Sequence, residues 1–149
     1  MKLKRNLVGG LAGAIALNII HEIVRRFDAE APRIELIGEE ALSKTIRSAG
    51  INPPSGEPLY FATLAADVLS NSIYYSLIGN AKKKHLLSTG LKYGAVAGIG
   101  ALVLTRPLGL NDAPVNRSTK TKIMTVSYYV IGGLVAAAVM KRYSKLNQY

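Results

Sequence analysis

The sequence contains no cysteine, which excludes disulfides, thiolate nucleophiles, thiolate zinc sites and iron–sulfur clusters. Its two histidines, His21 and His85, are too few for a His-rich metal site. Enzyme signatures are missing as well: there is no G-x-S-x-G, no H-E-x-x-H, no phosphate-cradling Gly-Lys-Ser/Thr loop and no dinucleotide fingerprint. No metal and no cofactor is therefore implied. Acidic residues are scarce, with 9 Asp and Glu against 19 Lys and Arg and a net charge of +10. Such an excess invites a nucleic-acid partner, but the cations are not spread over a binding face. They sit at the ends of apolar windows: Lys2, Lys4 and Arg5; Lys82 to Lys84; Lys141, Arg142 and Lys145. Membrane flanks look like this, and no nucleic-acid motif accompanies them.

Apolar residues make up 49% of the 149-residue chain, enough for one domain, and they are segregated into windows. Four have the length of a membrane-spanning helix: residues 7–24, 59–81, 86–105 and 123–140. The first, at about 1.5 Å per residue, reaches roughly 27 Å, near the thickness of a thin bilayer core. Asp67 and Lys92 interrupt the middle two. The basic start followed by an apolar run could be a signal peptide. The small residues Ala12, Gly13 and Ala14 lie inside that run, however, and His21-Glu22 follows it, so an uncleaved first span is expected.

Between the first two windows, Ile34–Ser48 places Ile34, Ile37, Ala41, Leu42 and Ile46 on one side of a helix. Glu35, Glu39, Glu40, Lys44 and Arg47 take the other side, with Pro32 at the entry and Gly50 as a stop. This amphipathic helix is too short and too charged to span and is expected at the interface. The turn at Lys82–His85 is tight, which predicts antiparallel neighbours before and after it. The connection from Arg106 to Lys122 reads as an irregular loop and holds a formal glycosylation sequon, Asn116-Arg117-Ser118. Basic residues are equal in number on the two sides of a four-span layout. They are concentrated in the short segments at the N-terminus, the second loop and the C-terminal tail, which puts both termini in the cytoplasm.

Polar residues inside the windows follow the helical period. In the second window Thr63, Asp67, Ser70, Asn71 and Tyr74 recur at steps of three or four and form one stripe. In the first, Asn18, His21 and Glu22 cluster near its end. If these two helices pack antiparallel, Asn18, His21, Glu22, Asp67 and Asn71 gather in the outer half, with Lys92 either reaching toward them or snorkelling inward. The cluster is read as a polar intramembrane site, or as hydrogen bonding that only holds helices together. Glycines form a second pattern. Gly9 and Gly13, Gly94 and Gly98, and the pair Gly132 and Gly133 allow helices to approach closely, within one chain or between chains. Tyr60, Tyr128, Tyr129 and Tyr143 lie near window ends, where interfacial aromatics are expected.

The glycine-rich first window ending in polar residues, followed by Ala31-Pro32-Arg33-Ile34-Glu35-Leu36-Ile37-Gly38, resembles small uncharacterised four-span bacterial inner-membrane proteins. That resemblance implies an inner-membrane location and carries over no site residue. The expectation is an all-α integral membrane four-helix bundle with one extra amphipathic interfacial helix. Its function is expected to be structural or accessory, packing through glycine faces with itself or a larger membrane complex in contact with lipid. A small transporter or channel centred on Asp67, and a membrane enzyme acting on lipid head groups through His21, Glu22 and Asp67, are the alternatives.

Overall fold

The computed structural model describes residues 2–146. The side chain of Lys145, one of the flanking cations, lies outside that description, as do Met1 and residues 147–149. Among the described residues the structure is helical throughout: α1 (Lys2–Phe27), α2 (Ile34–Ser48), α3 (Glu57–Ser76), α4 (Leu86–Val103), the short α5 (Ala113–Asn116) and α6 (Thr119–Leu146). Three stretches, Lys2–Phe27, Lys83–Val103 and Thr119–Ser144, are long and apolar enough to cross a membrane. α3, with Asp67 in its middle, is not among them.

Local chemistry sets the helix ends. α2 stops where Gly50 turns to φ 76°, a conformation that costs glycine nothing. Its N–H and that of Ile51 then take the last carbonyls, Arg47 O at 2.9 Å and Ile46 O at 3.3 Å. α3 opens on Glu57-Pro58, proline being suited to a first turn that needs no N–H. It closes at Ser76, where residues 77–80 tighten into a 3₁₀ turn before the extended Ala81.

The four long helices pack in the order α3, α1, α6, α4, each antiparallel to its neighbour. This corrects the expectation that the helices flanking the tight turn would be primary neighbours. The 77–85 connection instead crosses the ends of α1 and α6, with Ile78 fully buried and Arg5 donating to the Gly79 carbonyl. α3 and α4 meet through Tyr74, whose hydroxyl donates to Tyr93 O at 2.9 Å.

Small residues decide that order. Gly9 and Gly13 face Met140, Ala136 and Gly132 of α6, and Gly94 and Gly98 face Tyr129, Val130 and Val126 on its other side. Gly132 lies against Gly13 and the Tyr75 ring, and Gly133 against Gly90. A methyl group at Gly98 would come within 2.7 Å of Val126 Cα. All six packing glycines read from the sequence are thus occupied by helices of the same chain. The core is correspondingly thin, built on Leu17, Tyr75, Ile78, Leu86, Tyr129 and Met140 with alanines between helices. Tyr128 and Tyr129 belong to it at 4% and 9% exposure, not to an interfacial belt. α6 supplies both sides of its contact surface from one continuous helix, so their window-end position in sequence is interior in space.

The outward faces are aliphatic. Leu7, Leu11, Ile15, Ile19 and Ile23 form an exposed stripe at four-residue steps along α1. Phe61, Leu69 and Ile73 do the same on α3.

α2 contributes no fully buried residue; it lies on α3 and is tied at its entry and its middle. Arg33 N–H donates to Pro114 O at 3.0 Å, and Arg117 donates to the carbonyl oxygens of Ala29 and Ala31. Thr121 Oγ1 donates to Glu30 O at 2.8 Å, and Glu40 accepts from Asn111 N at 2.9 Å. The loop read as irregular therefore clamps the amphipathic helix. Within it, the sequon amide Asn116 Nδ2 already donates to Leu102 O at 2.9 Å.

Candidate functional site

Where α1, α2 and α3 converge they leave a cavity of about 560 Å³, within the range of small-molecule sites. It runs between the aliphatic lips Ile15 and Ile19 of α1 and Leu64 and Val68 of α3, under the first turns of α2. The helical period explains the arrangement. Positions 18, 21, 22 and 25 of α1 share the side that faces α2 and α3, as do 60, 63, 67 and 71 of α3 facing α1.

Asp67 forms one end of the polar floor. Its Oδ2 accepts from Asn18 Nδ2 at 2.8 Å and its Oδ1 from Asn71 Nδ2 at 3.0 Å. Among the described residues no cation pairs with it. Each carboxylate oxygen retains accepting capacity. Asn18 also donates to Ala14 O at 3.0 Å, which fixes its amide on the helix.

The other end is built on Glu35, which sequence periodicity assigned to the outer, polar side of α2. The structure corrects this: its side chain is 9% exposed and turned onto α1. Its first turn is set by ion pairs together with the packing of Ile34 on the core. His21 Nε2 lies 3.0 Å from Glu35 Oε2 and 3.1 Å from Pro32 O. Both neighbours only accept, so this nitrogen carries the proton, and the N–H is aimed at the proline carbonyl. Glu35 Oε2 is consequently buried within ion-pair range but accepts no hydrogen bond. Arg33 pairs with Glu35 Oε1, and Arg25 Nη1 stands 3.6 Å from it. Burial pushes the Glu35 carboxyl up, but the His21 contact and the Arg33 hydrogen bond outweigh it and hold the group at about 2.

Glu22 is paired elsewhere. It accepts from Arg25 at 2.7 Å, Arg26 at 2.8 Å and the Tyr60 hydroxyl at 3.2 Å. His21 and Glu22 thus belong to one ion-pair network, joined through Arg25, which pairs with Glu22 and stands 3.6 Å from Glu35. Thr63, 5% exposed, lines the floor opposite Gly38 with its hydroxyl buried and without a partner.

The structure brings Asn18, Asp67 and Asn71 into hydrogen-bond contact and sets His21 and Glu22 along the same cavity. It does not bring in Lys92, which is exposed on α4 although the adjacent Tyr93 touches α3, nor Ser70, which is exposed with its hydroxyl on its own helix. Glu35 and the unpartnered Thr63 hydroxyl are the additions. A signal for Glu35 existed: an acid in the first turn of α2, close in sequence to the basic end of α1. Among the described residues no group of three or more His, Asp or Glu could hold a metal ion.

Chemically, the site offers hydrogen-bond acceptors beneath an apolar opening. The His21 Nε2 proton is engaged by the Pro32 carbonyl. Beyond Asn71, Gly13, Tyr75 and Gly132 pack against one another and close the helix interfaces there. No protein-family model matches the chain, and neither does any curated protein or solved structure. What the fold and site define is an all-helical protein with three helices able to cross a membrane and a lateral, acceptor-lined cavity.

Proposed function

We propose that the chain is a four-span integral membrane protein of the bacterial inner membrane, with structural or accessory function. α3 crosses alongside α1, and α2 lies along the outer boundary with both termini in the cytoplasm. The observation that carries this reading is the sorting of α3: Phe61, Leu69 and Ile73 point outward while Asp67, Asn71 and Thr63 turn toward α1. A helix in contact with lipid requires that division, since hydrocarbon cannot satisfy polar side chains. Because the glycine faces are used within the chain, association with a second copy or a larger complex falls to the exposed aliphatic stripes, above all that of α1. The closed interfaces beyond Asn71 favour an accessory role over a transporter. The engaged His21 proton favours it over a lipid-modifying enzyme.

The absence of cysteine makes the test direct. The protein is expected to stay in the membrane pellet after alkaline carbonate extraction. Single cysteines introduced as Lys44→Cys and Asn111→Cys should label from the outside, and Lys84→Cys and Arg142→Cys only from the cytoplasm. A chain that remains folded and monomeric in buffer without detergent would refute the reading, and labelling of residues 44 and 84 from the same side would refute four spans.

A further inference from the structure

The cavity between α1, α2 and α3 has a floor that asks for something. Its carboxylates differ sharply in how they are served. Glu22 has Arg25, Arg26 and the Tyr60 hydroxyl, and Glu35 has His21, Arg25 and Arg33. Asp67 has two neutral amides and, among the described residues, no cation. One further polar atom on the lining, Thr63 Oγ1, is buried with neither a hydrogen bond nor an ion pair. A buried polar atom left unpaired costs about 1 to 3 kcal/mol, so such atoms call for an explanation. As a carboxylate Asp67 only accepts, and the Thr63 hydroxyl accepts as readily as it donates. The missing partner therefore brings N–H or O–H donors, and the uncompensated carboxylate of Asp67 selects a positively charged one.

The rest of the lining states what the donor is attached to. Ile15, Ile19, Leu64 and Val68 form the lips, and Ile15 and Ile19 continue into the exposed aliphatic stripe of α1. On the membrane reading of this protein, on which this inference rests, those lips face acyl chains, so an occupant can enter sideways with its own chain left among them. We infer that the cavity binds a membrane amphiphile with a primary ammonium head, the N–H groups donating to Asp67 and Thr63 and the hydrocarbon chain lying along Ile15, Ile19, Leu64 and Val68. An anionic head would meet carboxylates at the floor. A quaternary ammonium would bring the charge but no donor.

The test uses the full chain in phosphatidylcholine vesicles and a dodecyl chain carrying a mid-chain diazirine, with a primary ammonium, a trimethylammonium or a carboxylate at its end. Carbonate extraction of the same vesicles reports membrane integration separately from binding. The ammonium probe is expected to label peptides of α1 and α3 at residues 15–19 and 64–68, about tenfold more than the carboxylate probe and several-fold more than the trimethylammonium probe, a charge-assisted hydrogen bond being worth about one decade in affinity. Asp67→Asn should reduce that labelling about tenfold. Leu64→Trp, which fills the opening without touching the floor, should abolish it, so the inference does not hang on one polar variant folding. Equal labelling by the three probes, preference for the carboxylate, or labelling spread evenly over all lipid-facing helices in a carbonate-resistant protein would overturn the inference and leave the membrane reading standing. A protein released by carbonate would overturn both.

Discussion

The hydroxyl of Tyr75 donates to the carbonyl oxygen of Tyr129 at 2.8 Å, and the ring between them lies over Gly132 with no exposure at all. This one side chain ties α3 to α6 past the edge of α1. Tyr75→Phe keeps the ring and loses the hydrogen bond, which should lower stability by about 1 kcal/mol. Tyr75→Ala also empties the space and should cost about 3 to 5 kcal/mol. Equilibrium unfolding in detergent micelles measures both, and equal losses in the two variants would show that the hydrogen bond, not the packing, dominates.

Gly98 and Gly100 sit one helical step apart in kind. A methyl at Gly98 runs into Val126 Cα, backbone that cannot yield without moving α6. A methyl at Gly100 meets only Leu104 Cδ1 at 3.6 Å, an ordinary contact. Gly98→Ala should therefore destabilise by about 1 to 3 kcal/mol, as overpacking does. Gly100→Ala should be neutral or stabilising by up to about 1 kcal/mol, because alanine is the better helix former. Thermal melts of the two purified variants side by side decide it, and a Gly98→Ala protein as stable as the parent would contradict the tight α4–α6 contact.

Glu35 sets the acid limb of α2 docking. Its carboxyl is held at about 2 in the folded protein against the ordinary 4.5. A folded value below the unfolded one contributes stability that is fully present above about pH 4.5 and is lost as the pH falls toward 2. Spin labels on Thr45→Cys and Leu69→Cys should report a single α2–α3 distance at pH 6 that broadens across that window. In a Glu35→Gln background the distribution should already be broad at pH 6 and indifferent to acid, since removing one partner leaves His21 and Arg33 uncompensated.

Arg117 donates to the carbonyl oxygens of Ala29 (2.7 Å) and Ala31 from the far end of the chain, fixing the entry to α2. Arg117→Ala should free that entry. Cleavage between residues 28 and 33 by a soluble protease should rise several-fold, with global stability falling by about 2 kcal/mol, the worth of a hydrogen bond to a charged group. Unchanged cleavage would mean that Lys120 with Asp28, and Thr121 with Glu30, suffice to hold the loop.

Part of the candidate site is legible in the sequence. Asp67 and Asn71 lie four residues apart and Asn18 falls at a matching depth on an antiparallel helix, so their meeting needs only helical periodicity and one pairing. Glu35 is legible only as an acid close in sequence to the basic end of α1; the periodicity of α2 puts it off the Ile34–Ile37 face, and its inward turn depends on His21 and Arg33 standing where α2 begins. Lys92 stands at the level of Tyr74, and its neighbour Tyr93 does meet Tyr74 of α3. Lys92 itself is exposed, because α4 turns Gly90, Gly94 and Gly98 onto α6 and leaves position 92 on the outer side.

By itself the sequence determined which segments are helical and apolar, because hydrogen bonding within a helix and the 3.6-residue repeat are local and every residue carries its share of the signal. It also placed the small residues that permit backbones to touch. Only the tertiary structure decided which helix each glycine face meets, which tyrosines are interior, and that three acceptors end up under an aliphatic opening. Those outcomes depend on close approach between distant segments, and a glycine in the sequence permits such an approach without naming the partner.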